Sequence, residues 1–243
     1  MLLGKRSDIF SQLQSDILRL QRFCPSNNTK LDMELGSMLD AFPNRSFPLG
    51  AVHEFLSDRV EDAAATSGFV GGLISSMMKN KGTGLWISAS RTLFPPALKT
   101  LGLNPERFIF LDLKNEKDVL WVMDEALKCA ALTTVIGEVR NIDFTQSRRL
   151  QLAVEQSQAT GFVLRHQVRN PGTTVFVSRW KISSLASETL DDLPGIGYPG
   201  WKVDLLRIRN GKPGSWNIQW KDGAFVPVDS APLVLDIHQK KAG

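Results

Sequence analysis

The sequence predicts an α/β fold in which a mostly parallel sheet has helices on both faces and an antiparallel C-terminal strand extension. Three observations lead to this prediction. From residue 50 to about residue 167, short apolar runs alternate with amphipathic stretches of helical period. The apolar runs are nearly continuous, which indicates strands buried on both faces of a parallel sheet. After residue 170, strand-like segments follow one another without a helix between them, which favours antiparallel pairing.

The predicted elements begin with an amphipathic helix over 7–23, in which Ile9, Leu13 and Ile17 recur on one face behind an N-cap at Ser7. A short helix over 31–41 follows it. Thereafter strands are predicted over 50–56, 84–89, 107–112, 133–139 and 161–167, and helices over 62–79, 92–101, 116–129 and 144–158. Three later strands cover 174–185, 201–210 and 215–225, with a turn at 210–214.

These elements divide the chain into three parts. We expect residues 1–45 to form an N-terminal helical arm, residues 46–228 to form the α/β domain, and residues 229–243 to form a flexible tail. The arm either packs on its own domain or docks on a neighbouring protein, and the sequence leaves both open. The connection 186–200 is rich in glycine, proline and acid, and we expect a mobile surface loop there.

Composition excludes several classes of protein. No apolar run is long enough for a signal peptide or a membrane span. Cys24 and Cys129 fit no zinc or redox spacing, so we expect reduced thiols in a cytoplasmic protein. His53, His166 and His238 are too scattered for a metal site. We therefore expect neither a metal nor a cofactor.

The net charge of +4 is concentrated in one part of the chain. Residues 1–164 are balanced, whereas residues 165–221 contain nine Lys and Arg against four acids, together with four of the six tryptophans. Basic residues interleaved with aromatics suit nucleic acid or an acidic protein. The alternative is that the tryptophans belong to the core and the cations to a solvated face, and the sequence leaves both interpretations open.

The predicted strand 50–56 leads into a helix N-terminus at 57–66, where a nucleotide phosphate would bind in many α/β proteins. That chemistry needs a glycine-rich loop with a lysine and a Ser or Thr. This loop has neither glycine nor lysine, and it contains Asp58, Glu61 and Asp62. Repulsion between like charges about 4 Å apart, roughly 1–4 kcal/mol, exceeds the roughly 0.3–1 kcal/mol that a helix dipole offers an anion. We therefore expect no triphosphate here.

Three segments carry a resemblance to a known family. They are Ser-Arg-Trp-Lys-Ile at 178–182, the stretch from Gly195 into the strand that ends at Leu206, and Arg-Ile-Arg-Asn-Gly-Lys-Pro-Gly-Ser-Trp at 207–216. With the order of elements from about 45 to 225, they resemble the RecA core, and most closely the RecA-like error-prone repair proteins of the ImuA family.

The resemblance implies a degenerate, non-enzymatic ATPase core. At the RecA functional positions this sequence has Ser57 and Asp62 for the loop glycines, Ala63 and Ala64 for the lysine and threonine, Ser90 for the catalytic glutamate, and Gly137 for the metal-side aspartate. Glu138 follows, but one residue along a strand points to the other face. Glu54 is interpreted as structural. The segments equivalent to the two DNA-binding loops of RecA are short here, at 140–143 and 170–174.

The function that the resemblance implies is a non-catalytic role in DNA-damage-induced (SOS) translesion synthesis. The expected partner is an inactive Y-family polymerase-like protein of the ImuB type, with an error-prone replicative-type polymerase, RecA and DNA as further candidates. The expected contacts are polar residues and tryptophans that act as anchors if they are exposed: Arg179, Lys181, Arg207, Arg209, Lys212, Trp180 and Trp216.

Two alternatives belong to other classes. The first is a cell-division inhibitor resembling SulA, to which the runs 135–137 and 161–165 are similar. The strands after residue 185 argue against it, because SulA-like chains stop near that point. The second is an unconventional DNA-dependent ATPase, which calorimetry with ATP and magnesium would detect.

Overall fold

The computed structural model describes residues 35–79, 81–90, 93–168, 170–187 and 197–228. The strands are β1 Val52–Ser57, β2 Gly84–Ser88, β3 Phe108–Asp112, β4 Thr134–Glu138, β5 Thr160–His166, β6 Ser178–Leu185, β7 Gly200–Ile208, β8 Gly214–Lys221 and β9 Ala224–Pro227. The α-helices are α1 Glu61–Met78, α2 Glu116–Ala126 and α3 Phe144–Ser157. Short 3-10 helices cover Gly36–Ala41, Pro43–Arg45, Pro95–Leu101 and Pro105–Arg107.

All nine described strands form one sheet in the order β3-β2-β4-β5-β1-β6-β7-β8-β9. The strands from β3 to β6 pair in parallel, and β6 to β9 pair in antiparallel fashion. The α/β class, the mostly parallel sheet and the antiparallel C-terminal extension are therefore confirmed. The parallel strands read as continuous apolar runs because helices cover both of their faces.

Two hydrophobic cores lie on opposite faces of the sheet. The α1 core packs α1 against the sheet around Phe55, Phe69 and Trp180, and the rings of Phe55 and Trp180 stack with centroids 5.9 Å apart. The α2–α3 core lies on the other face and includes Met123 of α2 and Val154 of α3. The predicted helices on both faces are thus present.

Strand β1 lies in the middle of the sheet, and its six residues are all buried, including polar ones. His53 Nε2 donates to the Pro48 carbonyl, and its Nδ1 accepts from the Ser178 hydroxyl, both at 2.7 Å. A carbonyl can only accept, so Nε2 carries a proton, and in the neutral ring Nδ1 accepts. Burial lowers the pKa of His53 to about 4, which is consistent with the neutral ring.

The structure corrects several predicted elements. Within the described residues, the helix predicted over 31–41 is a 3-10 helix, Gly36–Ala41, and the strand predicted over 174–185 begins only at Ser178. The segment predicted as a helix over 92–101 is a 3-10 helix, Pro95–Leu101, which begins with two prolines. The strand predicted over 215–225 is two strands, because Asp222 and Gly223 have φ of 52° and 83° and form a tight turn between β8 and β9. Positive φ at two successive residues is typical of two-residue hairpins.

Parts of several predictions fall outside the described residues. These are the helix over 7–23, positions 31–34 of the second helix, residues 188–196 of the long connection, and the tail from 229 onward. The described part of the arm contacts the domain closely: Leu35, Met38 and Phe42 are buried in the α1 core. No helix in the described part of the chain is long and apolar enough to cross a membrane.

Candidate functional site

The first turn of α1 follows the carboxyl end of β1, where the RecA core would hold a phosphate. Asp62 lies in this turn, and its buried carboxylate accepts four hydrogen bonds. Arg59 donates from Nε at 2.9 Å and from Nη2 at 3.1 Å. Ser184 of β6 donates from its backbone N–H at 2.9 Å and from its hydroxyl at 3.2 Å. The hydrogen bond from Arg59 holds the pKa of Asp62 below its ordinary value, so a phosphate at this turn would meet a charged, fully bonded carboxylate.

A second contact ties the same segment to β6. The Lys181 ammonium lies 2.5 Å from Asp58 Oδ2. Two of the three carboxylates of the segment, Asp58 and Asp62, are therefore paired with cations, and the repulsion expected among them is weaker than the sequence suggests. Two contacts instead hold this segment against β6: Asp62 accepts from Ser184, and Asp58 pairs with Lys181.

The position that the resemblance aligns with the metal-side aspartate is filled by packing. Gly137 of β4 faces the α2–α3 core, and a Cβ built on it would lie 2.6 Å from Met123 Sδ. Real Cβ atoms do not approach a neighbour so closely. A carboxylate at position 137 would therefore clash with α2, on the face of the sheet opposite α1.

Glu138, the next residue, lies on the α1 face, so the expectation that it turns away from the phosphate segment is wrong. Successive side chains of a strand alternate, and Gly137 is the one that points away. The Glu138 carboxylate is buried and accepts from Trp86 Nε1 at 2.7 Å, Ser88 Oγ at 2.9 Å and Ser90 Oγ at 3.2 Å. Ser90, which aligns with the catalytic glutamate, thus donates to Glu138. We interpret the cluster of Trp86, Ser88, Ser90 and Glu138 as structural.

Ser57 and His166 lie side by side at the carboxyl ends of β1 and β5. The Ser57 hydroxyl and His166 Nδ1 are 3.0 Å apart. Burial lowers the pKa of His166, and the negative charge of Glu138 opposes that shift. Ser57 is fully buried, so its hydroxyl is not accessible to a substrate. Among the described residues, no group of three His, Cys, Asp or Glu side chains could hold a metal ion.

Glu54 of β1 lies at the centre of a buried ionic network. Its Oε1 accepts from Arg165 Nη1 at 2.5 Å, and its Oε2 accepts from Arg179 Nε at 2.6 Å. The Thr174 hydroxyl donates to Oε2 at 3.0 Å. Such a fully bonded carboxylate agrees with the structural interpretation of Glu54.

The same arginines hold the segment that precedes β6. Arg165 donates to the Pro171 carbonyl and Arg179 to the Gly172 carbonyl, both at 2.8 Å. Arg207 donates to the Thr174 carbonyl at 2.9 Å and to the Phe176 carbonyl at 3.0 Å. This segment corresponds to the shortened second loop of the RecA resemblance, and the arginines attach it to the sheet.

Comparison with known proteins gives the family. The ImuA proteins of two strains of Caulobacter vibrioides are each 32% identical to this chain over 198 residues, which covers 76% of this chain and 81% of each relative. This chain belongs to the ImuA family. No protein-family model matches the sequence. The crystal structure of SulA from Pseudomonas aeruginosa aligns with a TM-score of 0.40 and 21% identity, over 47% of this chain and 97% of that chain.

The predicted contact arginines of this ImuA-family chain make internal hydrogen bonds. Arg179 is paired with Glu54, Arg207 binds the carbonyls of the segment before β6, and Arg209 donates to the Val175 carbonyl at 3.1 Å. Arg207 and Arg209 remain exposed at the surface despite these bonds. Their sequence pattern could not reveal this, because the partners are 31 to 125 positions away.

The tryptophans lie on the other side of the sheet from these cations. Trp180 is 0% exposed and stacks on Phe55, so it does not meet the condition of exposure under which it was expected to act as an anchor. Trp216 is half-buried against the α1 core, and Lys212 is exposed in the β7–β8 turn. Cations and tryptophans alternate in the sequence because successive side chains of a strand point to opposite faces of the sheet. The apolar rings face α1, and the charges face away from it.

Proposed function

We propose that this ImuA-family chain is a non-catalytic accessory protein of DNA-damage-induced (SOS) translesion synthesis, and that it acts through contacts with other proteins. The observation that carries the non-catalytic part is the bonded Asp62 carboxylate in the first turn of α1. A working ATPase presents backbone N–H groups and a lysine to phosphate at this turn. Here Ala63 and Ala64 stand where the resemblance places the lysine and the threonine.

Two other positions support the same proposal. The Gly137 position has no room for a carboxylate, because Met123 Sδ would lie 2.6 Å from its Cβ. Glu138, on the α1 face, would have to release its bonds to Trp86 and Ser88 before its oxygens could bind a magnesium ion. An internal contact thus occupies each of the three positions: Asp62 at the phosphate-binding turn, Gly137 at the metal ligand, and Ser90 at the water-activating acid.

The damage-response setting rests on family membership and on the resemblance from which it was first inferred. The proposed partner is an inactive Y-family polymerase-like protein of the ImuB type. An error-prone replicative-type polymerase and RecA are further candidates. The positive surplus of residues 165–221 suits a partner with an acidic surface, and direct DNA binding is the alternative for the same charge.

A genetic experiment tests the accessory role. In the native host, deletion of the gene should lower the frequency of mutations induced by DNA damage, and the wild-type chain should restore it. An unchanged frequency would refute the role. Purification of the tagged chain after damage should recover the polymerase-like protein; recovery of the tubulin-like division protein instead would favour the cell-division inhibitor.

Calorimetry tests the non-catalytic part separately. Titration of the full chain with ATP and magnesium should give no saturable heat up to about 1 mM nucleotide, a concentration at which even a weak site of about −4 kcal/mol would fill by about half. Saturable binding would overturn the interpretation of Asp62 while leaving the accessory role standing.

A further inference from the structure

One face of the antiparallel extension is not covered by any helix that the structure describes. Strands β6–β9 turn their apolar residues, such as Ile182, Val203 and Ile218, towards α1. The α2–α3 core, which covers the other face of the parallel strands, contains no described residue of β6–β9. Within the described part of the chain, no helix packs on this second face of β6–β9. We call it the outer face.

The register of the strands defines the outer face. Paired residues of neighbouring antiparallel strands project to the same side of the sheet. Lys181 pairs with Asp204, Lys202 with Asn217, and Gly200 with Gln219. Along these strands, buried residues that face α1 alternate with half-buried or exposed residues of the outer face. The charged and amide side chains of the outer face are therefore partly or fully accessible to solvent. The paired members used below are Lys181, Lys202, Asp204 and Asn217.

A β-bulge puts one large apolar side chain on this polar surface. The register between β6 and β7 shifts between Arg179 and Trp180, so that β7 has one additional residue, Leu206, opposite this point. Leu205 is buried against α1, whereas Leu206 is 46% exposed. Bulges redirect side chains in this way, and they occur often at functional surfaces. The outer face therefore has one exposed apolar side chain beside its polar groups, just beyond the last β7–β8 pair, Leu205–Gly214.

The charge of the outer face is positive. Lys202 and the neighbouring Arg207 and Arg209 are exposed. Two acids oppose them: Asp58 pairs with Lys181, and Asp204 accepts from the Ser215 hydroxyl at 2.5 Å and keeps its charge. The described strand positions of the outer face hold no aromatic side chain. Tyr198 lies at its margin, with the Lys221 ammonium 5.4 Å above the ring. Single-stranded nucleic acid is bound by exposed aromatics that stack on bases, and phosphates gain nothing from Leu206.

We propose that the outer face docks an acidic protein surface, with an apolar side chain of the partner placed against Leu206. The cations supply charge complementarity and orientation. Leu206, which is exposed in the free chain, would be buried on docking and would supply the apolar contact. This inference rests on the proposed function, which supplies the protein partner. It adds the surface that the partner contacts and the chemistry that the partner must present.

Photocrosslinking tests the proposal in the full chain. The residue at Asn217 is replaced by p-benzoylphenylalanine, cells of the native host are treated with a DNA-damaging agent and irradiated, and the crosslinked peptide is sequenced by mass spectrometry. The expected product is an acidic segment of another protein. A crosslink to nucleic acid, a crosslink to residues 1–34 of the same chain, or no crosslink would overturn the proposal. The same probe at Lys117, on α2, is the control for position.

Matched variants then measure the contribution of each group to the crosslink yield. Leu206→Ser and Lys202→Glu should each lower the yield at least about tenfold, whereas Lys202→Arg should keep it. All three substitutions are at exposed positions, and a thermal melt of each purified variant checks its fold. Unchanged yield in both Leu206→Ser and Lys202→Glu would refute the proposed surface.

The mutation-frequency assay separates this inference from the proposed function. If deletion of the gene lowers damage-induced mutagenesis but Leu206→Ser and Lys202→Glu behave as wild type, the accessory role stands and the outer face is wrong. If the crosslink to an acidic segment forms but deletion leaves mutagenesis unchanged, the outer face stands and the accessory role is wrong.

Discussion

Replacement of Glu54 by Gln should destabilise the protein far more than removal of an exposed charge. Glu54 is completely buried, and it bonds both Arg165, whose side chain is 3% exposed, and Arg179. Removal of one member of a buried ion pair costs about 3–5 kcal/mol, because the remaining charge stays buried without compensation. Arg179 can turn partly to solvent, but Arg165 cannot, so we expect a loss within that range.

Urea unfolding followed by circular dichroism measures the loss. With a slope of about 2–3 kcal/mol per molar urea, the midpoint of Glu54→Gln should fall by about 1–2.5 M. Hydrogen exchange should also become faster in the segment 170–176, because Arg165 and Arg179 hold the carbonyls of Pro171 and Gly172. A change confined to the global midpoint would mean that the network does not hold this segment.

Two controls make the result decisive. Asp40→Asn removes an exposed ion pair, Arg45–Asp40 at 3.2 Å, and should leave the midpoint within error. The double variant of Glu54→Gln with Arg165→Met should lose less than the sum of its single variants, because it no longer leaves a buried charge unpaired. A loss below about 1 kcal/mol for Glu54→Gln would refute the assignment of a buried, mutually dependent network.

Three more predictions concern the two cores. Burial lowers the pKa of His53 from its ordinary 6.5 to about 4 in the folded chain, so the unfolded chain binds the proton first as the pH falls. The free energy of unfolding should therefore decrease between about pH 6.5 and pH 4, by up to about 3 kcal/mol. In a pH series of urea midpoints, His53→Gln should flatten this decrease. Gly137→Asp, which restores the RecA-type acid, should lower the melting temperature by its clash with Met123 and give no ATP turnover in a phosphate-release assay; turnover would contradict the packing at this position. Trp180→Ala should cost about 3–5 kcal/mol of unfolding free energy, whereas Trp121→Ala, at a side chain that is 63% exposed, should change it little; equal effects would contradict the burial of Trp180.

Much of the fold could be predicted from the sequence because its signals are local. The apolar runs around Val52, Leu85 and Val135 identify buried strands, and the glycine and proline at 211–214 identify the turn before β8. The loss of the phosphate-binding residues can also be predicted, since the side chains of Ala63 and Ala64 cannot bind a phosphate or a metal. The prediction of one strand over 215–225 overlooks Asp222-Gly223, a dipeptide that is itself typical of two-residue hairpins.

The candidate site could be predicted only in outline. The basic, tryptophan-rich pattern after residue 165 is real, but it does not tell which residues face solvent. Trp180 and Arg179 are adjacent in sequence, yet one lies in the α1 core and the other bonds Glu54 on the opposite face. Likewise Gly137 and Glu138 exchange the faces expected for them, because the sequence does not state on which side of β4 the helix α1 packs.

By itself, the sequence determined the order of helices and strands, the absence of a phosphate loop and the surplus of positive charge after residue 165. These properties depend on local pattern and composition, which a chain carries whether or not it is folded. Only the tertiary structure decided that Glu54 meets Arg165 and Arg179, 111 and 125 positions away, and that Leu206 is exposed on a face that no described helix covers. Such contacts depend on which strands become neighbours and on which side each helix packs, and both are settled when the whole core closes.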